Sequence, residues 1–157
     1  MNTVKKGNKF ENEYLKYLES KGYRCIKALR VTRRTKYGFR NIKTDFWGMF
    51  DIIALGGNNI ILAQVESSHR HTIKQIVEFA TQLPNSRIMY HLVRYEPDKD
   101  QWRVYEILVY HIDKYNIAIS INTVIYDRDF KHHTTQNTSY TEQPSPNIKG
   151  YDIFVDI

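Results

Sequence analysis

The sequence predicts an α/β (α+β) fold: a mixed β-sheet core flanked by helices, with a β-rich C-terminal extension. Three observations carry that expectation. Two apolar runs, 50–55 and 59–67, flank Gly56-Gly57-Asn58-Asn59, the strongest hairpin turn in the chain. Stretches with helical apolar spacing stand on either side of that hairpin. Further runs downstream alternate apolar and polar residues, the period of a half-buried strand. Helices interleaved with strands suit one sheet covered by helices.

The elements follow in order. Residues 6–22 form a helix, with Phe10, Tyr14, Tyr17 and Leu18 recurring on one stripe and Gly22 as its stop. Glu11 lies at the rim of that stripe. Residues 23–31 alternate Tyr23, Cys25 (or Ile26) and Leu29 with basic residues, as a half-exposed strand does, and 32–44 is a basic loop containing Gly38. The hairpin strands are apolar on both faces, which places them centrally in the sheet. A second helix spans 72–83, with Ile73, Ile76, Val77 and Ala80 on one face and Pro84-Asn85 after it. Strands are expected at 87–96, 101–110 and 116–126, the first two joined by the turn Pro97-Asp98-Lys99-Asp100. Residues 131–149 are polar and aperiodic and read as a mobile loop; 151–157 is a short strand-like end. The expected organisation is one domain, with a core over about 5–110 and an extension over about 111–157.

A chain of 157 residues is long enough to bury a core of its own. No apolar run approaches the roughly 20 residues that span a bilayer, so no membrane partner is expected. The polar, basic N-terminus does not resemble a signal peptide, and an intracellular, cytoplasmic setting is expected. Cys25 is the only cysteine, which excludes an internal disulfide and a cysteine-rich zinc site. No glycine-rich phosphate loop, Ser-His-Asp set or cysteine nucleophile is visible, so no small-molecule organic cofactor is expected.

Charge is unevenly distributed. The net charge is +6, yet the segment from Ser20 to Thr44 carries 9 basic residues and no acid. Outside it stand 14 basic and 17 acidic residues. A positive segment on a mildly acidic body is the footprint of a polyanion binder, a nucleic acid being the expected partner; the alternative is a solvated strand and loop that happen to be basic. Arg30, Arg33, Arg34, Lys36 and Arg40 are the candidate phosphate contacts, joined by Arg70 and Lys74 at the start of the second helix.

Asp51 opens the first hairpin strand and Glu66 closes the second, so antiparallel pairing brings them close. Gln64 shares a strand face with Glu66, two residues away. A buried amide costs about 1–3 kcal/mol if unpartnered, so Gln64 calls for a polar neighbour. Hard oxygen ligands of this kind suit Mg²⁺ or Mn²⁺, with Glu11 as a third carboxylate. Asp45 either approaches Asp51 or caps the turn between them. Phe46 and Trp47 are packing residues or, alternatively, a stacking wedge.

The stretch Lys6-Gly7-Asn8-Lys9-Phe10-Glu11 resembles the opening helix of the PD-(D/E)XK nuclease superfamily, in which Glu11 matches a catalytic glutamate. Phe50-Asp51-Ile52-Ile53-Ala54-Leu55 resembles the aspartate strand of that family, and Gln64-Val65-Glu66-Ser67 stands in place of its Glu-x-Lys motif. The likeness covers roughly residues 5–95 and is greatest to the archaeal Holliday junction resolvase branch. It implies a restriction-endonuclease-like core, a homodimer, and Mg²⁺- or Mn²⁺-dependent hydrolysis of phosphodiesters in DNA, including branched DNA. Glu11, Asp51 and Glu66 would hold the metal, with Gln64 in support. The motif lysine is Glu66 here. Three outcomes stand open: Glu66 becomes a ligand or general base, a cation arrives from Arg70 or Lys74, or catalysis is lost and a DNA-binding protein remains.

Overall fold

The computed structural model describes residues 3–43, 45–66 and 72–146, with backbone alone at 3–4, 30–33 and 40–43. Chain order is α1 (Thr3–Ser20), β1 (Arg24–Lys27), β2 (Arg30–Thr35), β3 (Gly38–Lys43), β4 (Ile52–Gly56), β5 (Asn59–Glu66), α2 (Ile73–Thr81), β6 (Ile88–Glu96), β7 (Gln101–His111), β8 (Asn116–Asp127) and β9 (His133–Pro144). A single 3-10 turn, Pro97–Lys99, joins β6 to β7 where a turn was expected.

One seven-stranded sheet runs in the order β1-β4-β5-β6-β7-β8-β9. Only β5 and β6 are parallel; every other neighbouring pair is antiparallel. The parallel pair needs a crossover, and α2 supplies it. Its first turn is closed by a capping box between Thr72 and Gln75. The class is therefore mixed α+β. β4 and β5 sit inside the sheet, as their two-sided apolarity requires.

The strand period sorts the core onto two faces. Ile52, Ala54, Ile61, Ala63 and Val65 pack with Phe10, Tyr14 and Leu18 of α1. Phe50, Leu62, Tyr90 and Leu92 pack with Ile76 and Ala80 of α2. α1 stops at Ser20, and Gly22 just beyond it takes φ +93°, which suits a residue without Cβ. There the Tyr23 amide donates back to the Leu18 carbonyl at 3.2 Å, a Schellman-type closure. No helix among the described residues is long and apolar enough to cross a membrane.

Two expectations are corrected. Of the segment 32–44, expected as a loop, residues 32–43 are most of a β2/β3 ribbon that forms a two-stranded sheet of its own. Its pairing begins at Arg30–Lys43 and ends at Thr35–Gly38. Gly38 takes φ +111° beside the turn, and the β-branched residues Val31, Thr32, Thr35 and Ile42 favour extended backbone. The segment 131–149, expected as a mobile loop, contains the edge strand β9, exposed along its whole length. It pairs with β8 through a register shift at Thr123/Val124. β8 and β9 thus continue the main sheet. Residues 151–157 lie outside the described residues.

Candidate functional site

The site is built at one end of β4 and β5. The Asp51 amide donates to the Ala63 carbonyl at 2.8 Å, and its own carbonyl accepts from the Ala28 amide at 2.7 Å. Asp51 is thereby fixed between the end of β1 and the middle of β5. Its side chain is fully buried, and Oδ2 accepts the Val65 amide at 2.8 Å. Gln64, with its amide nitrogen turned to the acceptors, donates to Asp51 Oδ2 at 3.3 Å and to the Met49 carbonyl. The polar neighbour that Gln64 required is therefore Asp51 itself.

Gln64 and Glu66 alternate with Ala63 and Val65, so they share the α2 face. Glu66 stands opposite Arg94 in the parallel β5/β6 pairing. Arg94 Nε lies 2.8 Å from Glu66 Oε2, with the Glu66 side chain 1% exposed and that of Arg94 17%. The guanidinium also lies over the Tyr105 ring, 5.6 Å from its centroid.

Glu11 belongs to the opposite face. It is buried on α1, and Lys27 Nζ sits 3.4 Å from its Oε2. Lys27 pairs with Ile52 in the β1/β4 register, which puts it on the α1 side. Its ammonium donates to Asn12 Oδ1 at 2.7 Å and to Asn8 Oδ1, so one stretch of α1 encloses it with three oxygen-bearing side chains.

Among the described residues the buried acids are Glu11, Asp51 and Glu66, the three singled out from the sequence. The oxygen donors suit Mg²⁺ or Mn²⁺ chemically. Their arrangement does not fit an ion shared by all three. Asp51 Oδ2 already has two donors, Glu66 pairs with Arg94 on one face, and Glu11 with Lys27 on the other. No three His, Cys, Asp or Glu side chains among the described residues are grouped to hold a metal.

Sequence reasoning missed Lys27 as a site residue and missed Arg94 altogether. Arg70 lies outside the described residues. Lys74 is exposed on α2 and faces Glu78 at 3.9 Å, one turn along its own helix. Among the described residues, the cations beside the acids come from β1 and β6. The signal for Lys27 was present, since it lies in the basic segment on the strand preceding Asp51. Arg94 became visible only through the parallel register.

The predicted DNA contacts Arg34 and Lys36 are exposed on the ribbon. Arg30, Arg33 and Arg40 occupy its strands, where the backbone alone is described. Asp45 begins the turn before β4, its carbonyl accepting from Gly48 at 3.1 Å. Trp47, at φ +53°, rests its ring 5.9 Å from that of Phe79, a packing contact. Comparison with protein-family models, curated proteins and solved structures finds no match to this chain.

Proposed function

We propose that this chain is a DNA-binding protein built on a core of the PD-(D/E)XK nuclease type. One observation carries the proposal. The basic ribbon leaves the sheet at Ala28, whose amide holds the Asp51 carbonyl, so the polyanion-binding segment is rooted at the buried polar site. The order helix, strand, hairpin, helix, strand through residue 96 supports a restriction-endonuclease-like core, as the motif resemblance implies. Phosphates would meet Arg34 and Lys36, and Arg30, Arg33 and Arg40 would add positive charge to the same ribbon. The resemblance also implies a homodimer.

A second reading, metal-dependent cleavage of DNA, is favoured by the burial of Glu11, Asp51 and Glu66 at the three motif positions. Buried carboxylates cost several kcal/mol each before pairing, and strongly placed acids cluster at functional sites. In either case Gln64 and the Val65 amide orient the Asp51 carboxylate, while Lys27 and Arg94 supply the positive charge that the missing motif lysine does not.

The test is binding and cleavage of labelled duplex, single-stranded and four-way-junction DNA, with Mg²⁺ or Mn²⁺ and with chelator. Asp51→Ala serves as the control. Asp51→Asn accompanies it because its side-chain oxygen can still accept the Val65 amide. Binding that survives chelation without cuts supports the first reading. Metal-dependent cuts lost in both variants support the second. Absence of binding to every DNA form sinks both.

A further inference from the structure

We propose that the β2/β3 ribbon is a base-stacking arm, with Tyr37 and Phe39 packing on unpaired DNA bases while Arg34 and Lys36 hold the flanking phosphates. This rests on the DNA-binding function above and specifies the kind of DNA. Tyr37 is 80% exposed and Phe39 76%. They are the two most exposed aromatics among the described residues, ahead of Trp47, Tyr115 and Tyr140, whereas the core aromatics Tyr14, Phe50, Tyr90 and Trp102 are buried almost completely. Two neighbouring aromatics in water on a polar ribbon have no role in this fold's core, and flat faces of that kind are what bases stack on.

The surroundings select a nucleic acid. No acid occurs from Ser20 to Thr44, and the register sets Arg30 against Lys43 and Arg33 against Arg40. Like charges at directly opposite positions of an antiparallel pair repel, and a polyanion relieves that repulsion. Arg34 pairs with Phe39, so a cation and an aromatic stand together one residue pair from the turn.

The tip is also held in shape. The Thr35 hydroxyl donates to the Gly38 carbonyl at 2.7 Å and accepts the Tyr37 amide at 3.3 Å. A preformed tip loses less freedom on binding than a floppy one. Stacking against a paired base requires opening the helix, at a few kcal/mol per step. A base already unpaired avoids that cost, so gaps, junctions and single strands are the favoured ligands.

The experiment measures binding of the full chain to a paired duplex and to the same duplex carrying a short gap, with 2-aminopurine in the gap. Wild type should prefer the gapped form by about ten-fold or more and quench the 2-aminopurine. In Y37A/F39A that preference should collapse towards unity and the quenching disappear. In R34A/K36A both affinities should fall together, and the salt slope should shrink by about 2. The exposed positions leave folding intact, which circular dichroism checks. Equal preference and equal quenching in wild type and Y37A/F39A would overturn the stacking arm alone. DNA binding unchanged in both ribbon variants would assign the ribbon to another partner, such as an acidic protein. Failure of wild type to bind either DNA would remove the DNA-binding function itself.

Discussion

Single side chains at the site are legible to different degrees. Asp51 and Glu66 stand out in the sequence because they bracket the apolar hairpin, Gln64 because it interrupts its second strand and Glu11 because it rims the first helix's stripe, and all four are buried. Arg94 could not stand out, since its partner is 28 residues away and reached through a crossover. Removing Arg94 leaves Glu66 buried beside a lost cation, and breaking such a pair costs about 3–5 kcal/mol. Arg94→Ala should therefore lower the urea midpoint sharply, while E66Q/R94M should recover much of the loss. A midpoint unchanged in Arg94→Ala would show that the pair does not hold this end of β5 to β6. His91 offers a second residue-scale expectation. It is buried under α1, with Nδ1 2.6 Å from the Tyr14 hydroxyl, and burial holds its pKa down to about 3. The folded state thus keeps histidine neutral. The stabilisation is complete above the ordinary value of 6.5 and drains away as pH falls from there towards 3. Stability of wild type should fall by up to about 1.4 kcal/mol per pH unit across that window from this group alone. H91Q should flatten the slope.

At the scale of elements, polarity decides what can be read. The β4/β5 hairpin is legible because both strands are apolar and the turn is rich in glycine. α1 and α2 are legible through their stripes. The ribbon and β9 are not, because their sequences are polar and carry no clear period-two pattern. β9 is exposed at every position, and polar residues such as Thr134, Asn137 and Thr138 look like loop until β8 is seen to pair with them. Caps are local and more dependable. Thr72 and Gln75 close α2 with reciprocal bonds of 3.3 and 3.0 Å. Thr72→Ala should cost about 1 kcal/mol, read as a lowered thermal midpoint. An unchanged midpoint would mean that packing alone sets where α2 begins.

At the scale of the molecule, charge is segregated from the rest of the surface. A body of balanced charge carries a strongly basic arm, so DNA affinity should fall steeply as salt rises, through release of counterions. A flat salt response, measured by anisotropy from low to physiological salt, would remove the arm from the interface. The sheet itself has a consequence for how the site responds to change. Lys27 and Arg94 stand on opposite faces, and the strands β4 and β5 separate β1 from β6. Three strand spacings of about 4.8 Å put them roughly 14 Å apart, with the β4/β5 backbone as a partition. Sites so separated, with no partner in common among the described residues, respond independently, within about 0.5 kcal/mol. A double-mutant cycle on K27A and R94A should therefore close near zero. The sheet would then act as an insulator, letting one side of the site be rebuilt while the other keeps its charge balance.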